Sequence, residues 1–227
     1  MNNNFNFTKV ETNQTFNFSK EYGVTGGIVS FNLNWPEHRG QAVDLDAFLV
    51  MENRDGTTET IPGKKYGWFS KTFLGKVDTP DTHRQVGGFK DTIYFRKLHG
   101  RGVIHHGDDT TGAWADGEFI EVDLDNIPPY VNTLTFAVLS FSGHKFSDLD
   151  YASIKVFTGK PNAPQRALME HCLKSFSRST QTVVLAQMKK NSAGEWELTT
   201  LNDQSPNTRV EGVSQLCYRA GQPATVN

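Results

Sequence analysis

Carboxylates crowd one short stretch of this sequence. Residues 102–118 read GVIHHGDDTTGAWADGE, with His105, His106, Asp108, Asp109, Asp116 and Glu118 set among glycines and threonines. A second acidic pair precedes it in AVDLDAF, where Asp44 and Asp46 stand two residues apart. Side chains at i and i+2 of an extended chain point to one face, so both carboxylates face the same side at the start of a strand. If the fold brings the two motifs together, Asp44, Asp46, Asp108, Asp109, Asp116 and Glu118 share one rim. Two charges about 4 Å apart repel by roughly 4 kcal/mol at an effective dielectric near 20. Several such pairs rival the whole stability of a domain, about 5–15 kcal/mol. Three arrangements resolve the conflict: the acids lie apart, their pKa values rise, or a cation sits among them.

A donor set made of oxygens selects a hard ion. Ca2+ accepts about six to eight oxygens in irregular geometry, including carbonyls from turns. Mg2+ comes second, because it wants fewer protein ligands and a stricter octahedron. Zinc would draw on His105, His106 or the cysteines, at a spacing that matches no structural zinc pattern. The EF-hand spacing is absent too. The plainer alternative is a solvated acidic loop. Within an alternating strand, one of His105 and His106 points inward and the other outward; a hydrogen-bonded structural histidine is a simpler reading than a ligand or general base. Asp148 and Asp150 form a further Asp-x-Asp, which either approaches the same rim or, on the simpler reading, faces solvent at a strand entry.

The chemistry of other sites is missing. No Gly-x-Ser-x-Gly elbow, P-loop or dinucleotide fingerprint occurs. A metallophosphoesterase also needs a Gly-Asn-His late in the chain, and none is present. The chain is read as non-catalytic.

The elements that must position these residues read as strands, some alternating, 45–51 a more continuous apolar run, and the rest rich in β-branched and aromatic residues. They are 28–35, 45–51, 92–95, 119–124, 134–141, 152–157, 182–188 and 195–201, separated by Gly, Pro, Asn and Asp. A near repeat, FNFTK at 5–9 and FNFSK at 16–20, reads as two short strands paired in a hairpin. Only 163–175 has helical propensity, with Ala167, Leu168 and Cys172 on a shared face. The pattern predicts an all-β fold, a two-sheet antiparallel β-sandwich, with a long loop insertion near 57–89. That insertion sets Trp68, Phe69 and Phe73 among Lys64, Lys65, Lys71 and Lys76. It reads as a solvated excursion, or as a contact for nucleic acid or a partner protein. The domain is expected over 1–201. A polar extension follows at 202–227, either ordered through Val213, Leu216 and Tyr218 or loose.

The 227 residues carry a net charge of -2, so nothing global favours nucleic acid or an acidic membrane. Sixteen Phe and four Trp suffice for a core. Cys172 and Cys217 form no disulfide framework and read as reduced thiols. There is no signal-peptide pattern and no run of about 18 apolar residues. A cytoplasmic protein is expected.

The order of VSFNLNW (29–35), DLDAFLV (44–50), DTIYF (91–95), GVIHHGDDTTG (102–112), DGEFIEVDLDNIPPYVNTLTFAV (116–138) and GEWELTTL (194–201) resembles the TerD family of tellurium-resistance and stress proteins. That resemblance implies a sandwich binding one or two Ca2+ ions at one end. Asp44 and Asp46 match the family's Asp-Leu-Asp, and Asp108 its Gly-Asp-Asn, with Asp109 in place of the Asn. Gly112 matches a carbonyl donor, and Asp116 and Glu118 match the acidic turn. This turn lacks one acid of the family pattern, which bears on the second ion. The resemblance also implies a non-catalytic scaffold in bacterial or phage-encoded stress, tellurite, phage or colicin resistance. Its partners would be other proteins of a stress or defence assembly, reaching a membrane complex peripherally through them; nucleic acid is not expected as a partner. Two rival readings are a structural or carbohydrate-binding module with incidental Ca2+, and a metal-dependent hydrolase.

Overall fold

The computed structural model describes residues 6–36, 43–53, 58–61, 64–79, 82–85, 90–108, 117–140, 143–206 and 209–220. The alternating stretches fold as strands. In chain order they are β1 (Thr8–Val10), β2 (Thr15–Asn17), β3 (Ile28–Asn34), β4 (Asp46–Glu52), β5 (Thr58–Ile61), β6 (Thr82–Gln85), β7 (Lys90–Ile93) and β8 (His99–Gly100). There follow β9 (Val103–His105), β10 (Glu118–Asp123), β11 (Thr133–Leu139), β12 (Ala152–Lys160), β13 (Ala163–Leu173), β14 (Thr182–Lys190) and β15 (Trp196–Ser205). Helices α1 (Phe18–Tyr22), α2 (Trp68–Leu74) and α3 (Val210–Arg219) interrupt or close the series.

Among the described residues, one sheet runs β1-β13-β12-β3-β10-β9-β8 and a second runs β2-β15-β14-β11-β4-β7. Pairing is antiparallel except between β1 and β13. The inward faces meet in a shared core. Phe31 of β3 stacks on Phe136 of β11 with ring centroids 4.0 Å apart. Around them lie Leu33, Ile120 and Ile154 from one sheet and Leu49, Met51 and Leu134 from the other, all buried. The expected two-sheet sandwich is the observed one.

The apolar run of β4 has its own cause. Ala47, Leu49 and Met51 face the shared core, while Phe48 and Val50 face outward. That outer face, with Ala137, Leu139 and Val184, is covered by Val213, Leu216 and Cys217 of α3. A strand buried on both sides loses its alternation. The tail read as polar thus continues β15 to Ser205 and then packs a helix, with Val213 fully buried and Tyr218 left exposed.

Three local expectations change. The near repeat is not a hairpin: β1 joins the edge of the first sheet beside β13, and β2 joins the edge of the second beside β15. The second copy then turns into α1, capped by Asn17, whose side chain accepts from the Lys20 N–H. Residues 163–173 form β13 rather than a helix. A bulge opposite Val156 and Phe157 shifts the register, so that Leu168 and Met169 are buried in succession and mimic a helical spacing. Within the insertion, β5 pairs with β6 and α2 lies between them.

Candidate metal centre

The site is built at the start of β4. The chain leaves β3 at Asn34, and the buried Trp35 donates its Nε1–H to the Val43 carbonyl at 2.9 Å. That bond pins the backbone just ahead of Asp44. Strand β7 pairs with β4 only from Leu49 to Glu52. Beyond the end of that ladder, Ala47 is held by side chains from the opposite sheet. Its N–H donates to Glu118 Oε2 at 2.7 Å, and its carbonyl lies 3.2 Å from His105 Nε2. The Gly107 N–H donates to His105 Nδ1 at 3.2 Å. Nδ1 is therefore the acceptor, and the ring proton sits on Nε2, facing the Ala47 carbonyl. His105 is the inward, structural member of its pair. His106 points the other way, with Nε2 3.2 Å from Glu121 Oε2.

Gly117 brings the second motif in. Its φ is +69°, and a Cβ there would fall 2.2 Å from the Leu33 carbonyl oxygen. Only glycine permits so close an approach to β3, and the next residue, Glu118, enters β10 with its carboxylate fully buried.

Asp46 is 3% exposed. Burial pushes its carboxyl up to about 8, and the charges of Glu118, Asp108 and Asp44 push the same way, with Arg96 opposing. Glu118 adjoins Asp46 through its bond to the Ala47 N–H, and the charges of Asp108 and Asp44 also reach Asp46. Asp46 Oδ2 and Asp108 Oδ1 are both buried without a hydrogen-bond partner. An unsatisfied buried acceptor costs about 1–3 kcal/mol, and more when charged.

The remaining expected donors, Asp109, Gly112 and Asp116, lie outside the described residues. Among the described residues, no three His, Cys, Asp or Glu side chains form a ready-made metal cage. Asp148 and Asp150 are exposed, and Cys172 and Cys217 are free thiols. Sequence reasoning missed Arg96 and the clamp on Ala47. The first leaves no trace in spacing; the second has one, since the His105 and Glu118 positions were both marked, though not as partners of a backbone amide. Among the described residues, no helix is long and apolar enough to cross a membrane.

Comparison with known proteins agrees with this architecture. The chain is 29% identical over 205 residues to tellurium resistance protein TerZ of Serratia marcescens, covering 83% of this chain and 86% of that protein. It is 28% identical over 197 residues to stress response protein SCP2 of Bacillus subtilis strain 168, covering 77% and 94%. The crystal structure of a homologue of telluride resistance protein TerD from Streptomyces coelicolor A3(2) superposes with a TM-score of 0.54 at 16% identity, covering 84% and 97%, and shares the fold. The model of the TerD domain matches residues 79–213. That match runs from the insertion into α3 and takes in the acidic loop and more than half of the chain, which therefore belongs to the TerD family.

Proposed function

We propose that this protein is a non-catalytic Ca2+-binding scaffold of the tellurite and stress response, with one or two ions held at the acidic end of the sandwich. The observation that carries the reading is the pair of buried, unpartnered carboxylate oxygens on Asp46 and Asp108, in a corner that Asp44 and Glu118 make more negative still. The donors are all oxygens, which suits a hard cation. A bound ion would supply the positive charge and the missing partners together. Asp44, Asp46, Asp108 and Glu118 would hold it, joined by Asp109, Asp116 and the Gly112 carbonyl.

The protein's own part is positional. Trp35 fixes the approach to Asp44, Gly117 delivers Glu118, and His105 with Glu118 locks the first turn of β4. An ion across this corner would couple the loop before β4 to the loop before β10, and its binding energy would add to folding stability. The names of TerZ and SCP2 support a role in tellurite resistance or stress. Partner proteins of such an assembly would meet the loops at this end, in the cytoplasm, with any membrane complex reached through those partners.

Calorimetric titration with Ca2+, alongside thermal melts, tests the reading. Saturable binding with a rise in Tm is expected, about 2.7 kcal/mol of stabilisation at a hundredfold excess over Kd. A melt indifferent to Ca2+, with no heat of binding, would overturn it.

A further inference from the structure

The insertion contains a second feature, independent of the acidic corner. Residues 64–79 read KKYGWFSKTFLGKVDT, with four lysines and a single acid, Asp78, in a chain whose net charge is -2. The segment closes on itself. The Thr79 N–H donates to the Lys64 carbonyl at 3.0 Å, and the Lys64 N–H donates to Thr79 Oγ1 at 2.8 Å. Asp78 holds the loop together from its part-exposed position. Its Oδ1 accepts the Tyr66 N–H at 2.8 Å and its Oδ2 accepts from Lys71 Nζ at 2.7 Å. These bonds keep its carboxyl below the usual range. A short excursion with its ends joined and its own internal bonds is an Ω-like loop, a preformed surface element.

With its one acid tied to Tyr66 and Lys71, the loop's exposed surface is dominated by lysines and two aliphatic side chains, beside the neutral Thr72 and Thr79. Lys64, Lys65 and Lys76 are exposed, the last with its ammonium 5.1 Å from the Tyr66 ring. Gly75, at φ +60°, ends α2 and turns the chain between Leu74 and Val77. Those two are 59% and 78% exposed, the highest among the large apolar residues described.

We infer that the loop 64–79 docks directly on an anionic lipid surface, with its lysines at the headgroups and Leu74 and Val77 in the acyl boundary. A bilayer supplies both halves of what the loop displays: negative charge at the surface and hydrocarbon immediately beneath. A lone acidic protein patch would neutralise the lysines and leave the aliphatic pair in water. Basic charge together with apolar side chains is the two-signal pattern of reversible membrane attachment. A single such loop gives weak binding that falls with salt.

Vesicle co-sedimentation of the full chain tests this. The vesicles are phosphatidylcholine alone or mixed with phosphatidylserine, in chelator and in Ca2+. Binding to the mixed vesicles only, persisting in chelator and weakening as salt rises, is expected. Lys64→Gln with Lys65→Gln should lower the partition coefficient about tenfold or more, and Leu74→Ser with Val77→Ser should abolish binding, both at unchanged Tm. Binding only in Ca2+ would assign the contact to the acidic end and overturn the inference while leaving the metal reading intact. No binding, equal binding to neutral vesicles, unchanged binding of either variant, or preference for an oligonucleotide competitor would overturn it as well.

Discussion

Glu118 of the first sheet accepts the backbone N–H of Ala47 in the second at 2.7 Å, deep in the molecule. The bond joins the two acidic motifs through a main-chain atom. Ala47 is the residue after Asp46, so whatever fixes Glu118 also fixes the aim of the Asp46 carboxylate. Replacing Glu118 by Ala leaves that amide, beyond the β7 ladder, without its partner. We expect a loss of about 1.5–3 kcal/mol, read in denaturant titrations without Ca2+. Glu118→Gln keeps an acceptor oxygen and should recover more than half of it.

Asp46→Asn separates charge from shape. In the metal-free protein the substitution removes a buried carboxylate beside three others, so Tm at pH 8 or above should rise by several degrees, at about 2–4 °C per kcal/mol for a chain of this size. The same variant should lose most of the Tm gain on adding Ca2+. Parallel melts with chelator and with Ca2+ read both; a variant destabilised in chelator and still responsive to Ca2+ would contradict the proposed centre.

The pH profile follows from the same group. The folded state holds the Asp46 proton up to about 8, far above the ordinary value of 3.8 in the unfolded chain. Stabilisation from the protonated form is therefore full below the unfolded value and is lost as pH rises through the folded one. Metal-free protein should melt at progressively lower temperature from about pH 4 to above pH 8, and Asp46→Asn should flatten that slope. Ca2+ binds the ionised form, so it should stabilise more at pH 8 than at pH 5.

Gly117→Ala should be costly without touching a charge. The new methyl would meet the Leu33 carbonyl oxygen at 2.2 Å, at a φ that favours glycine. A penalty above about 1–3 kcal/mol is expected, with weaker Ca2+ binding because Glu118 shifts. Chemical denaturation with calorimetry measures the two effects on one sample.

Val213→Asp should strip α3 from the second sheet. Val213 is fully buried against Phe48, Val50, Ala137 and Leu139. A carboxylate there cannot stay charged in contact with them, so an apolar sheet face opens. Loss of helical circular dichroism, dye binding and aggregation are expected.

Alternation in some strands, and β-branched and aromatic runs between turn residues in others such as β4, made the sandwich legible, since both signals are local. What failed was whatever depends on distant partners. Ala167, Leu168 and Cys172 have a helical spacing across the bulge in β13, and its pairing with β12 and β1 makes it a strand. The covering helix did have a signal in Val210, Val213, Cys217 and Ala220, diluted by Gly212 and Ser214. For the proposed site, Asp44, Asp46, Asp108 and Glu118 stood out in the sequence because acid pairs on strand termini carry a visible repulsion problem. Arg96 was not, because no sequence interval says that the turn after β7 comes back to Asp46.

The two short N-terminal strands have a consequence for the order of assembly. Lys9 waits for Glu170, 161 residues on, and Thr15 for Thr199, 184 residues on. Neither strand has a neighbour in sequence to zip onto, so both must stay unpaired while the rest of each sheet emerges and collapses. Strands β1 and β2 are thus expected to act as a closing latch, engaging the two sheet edges after the strands they border have formed.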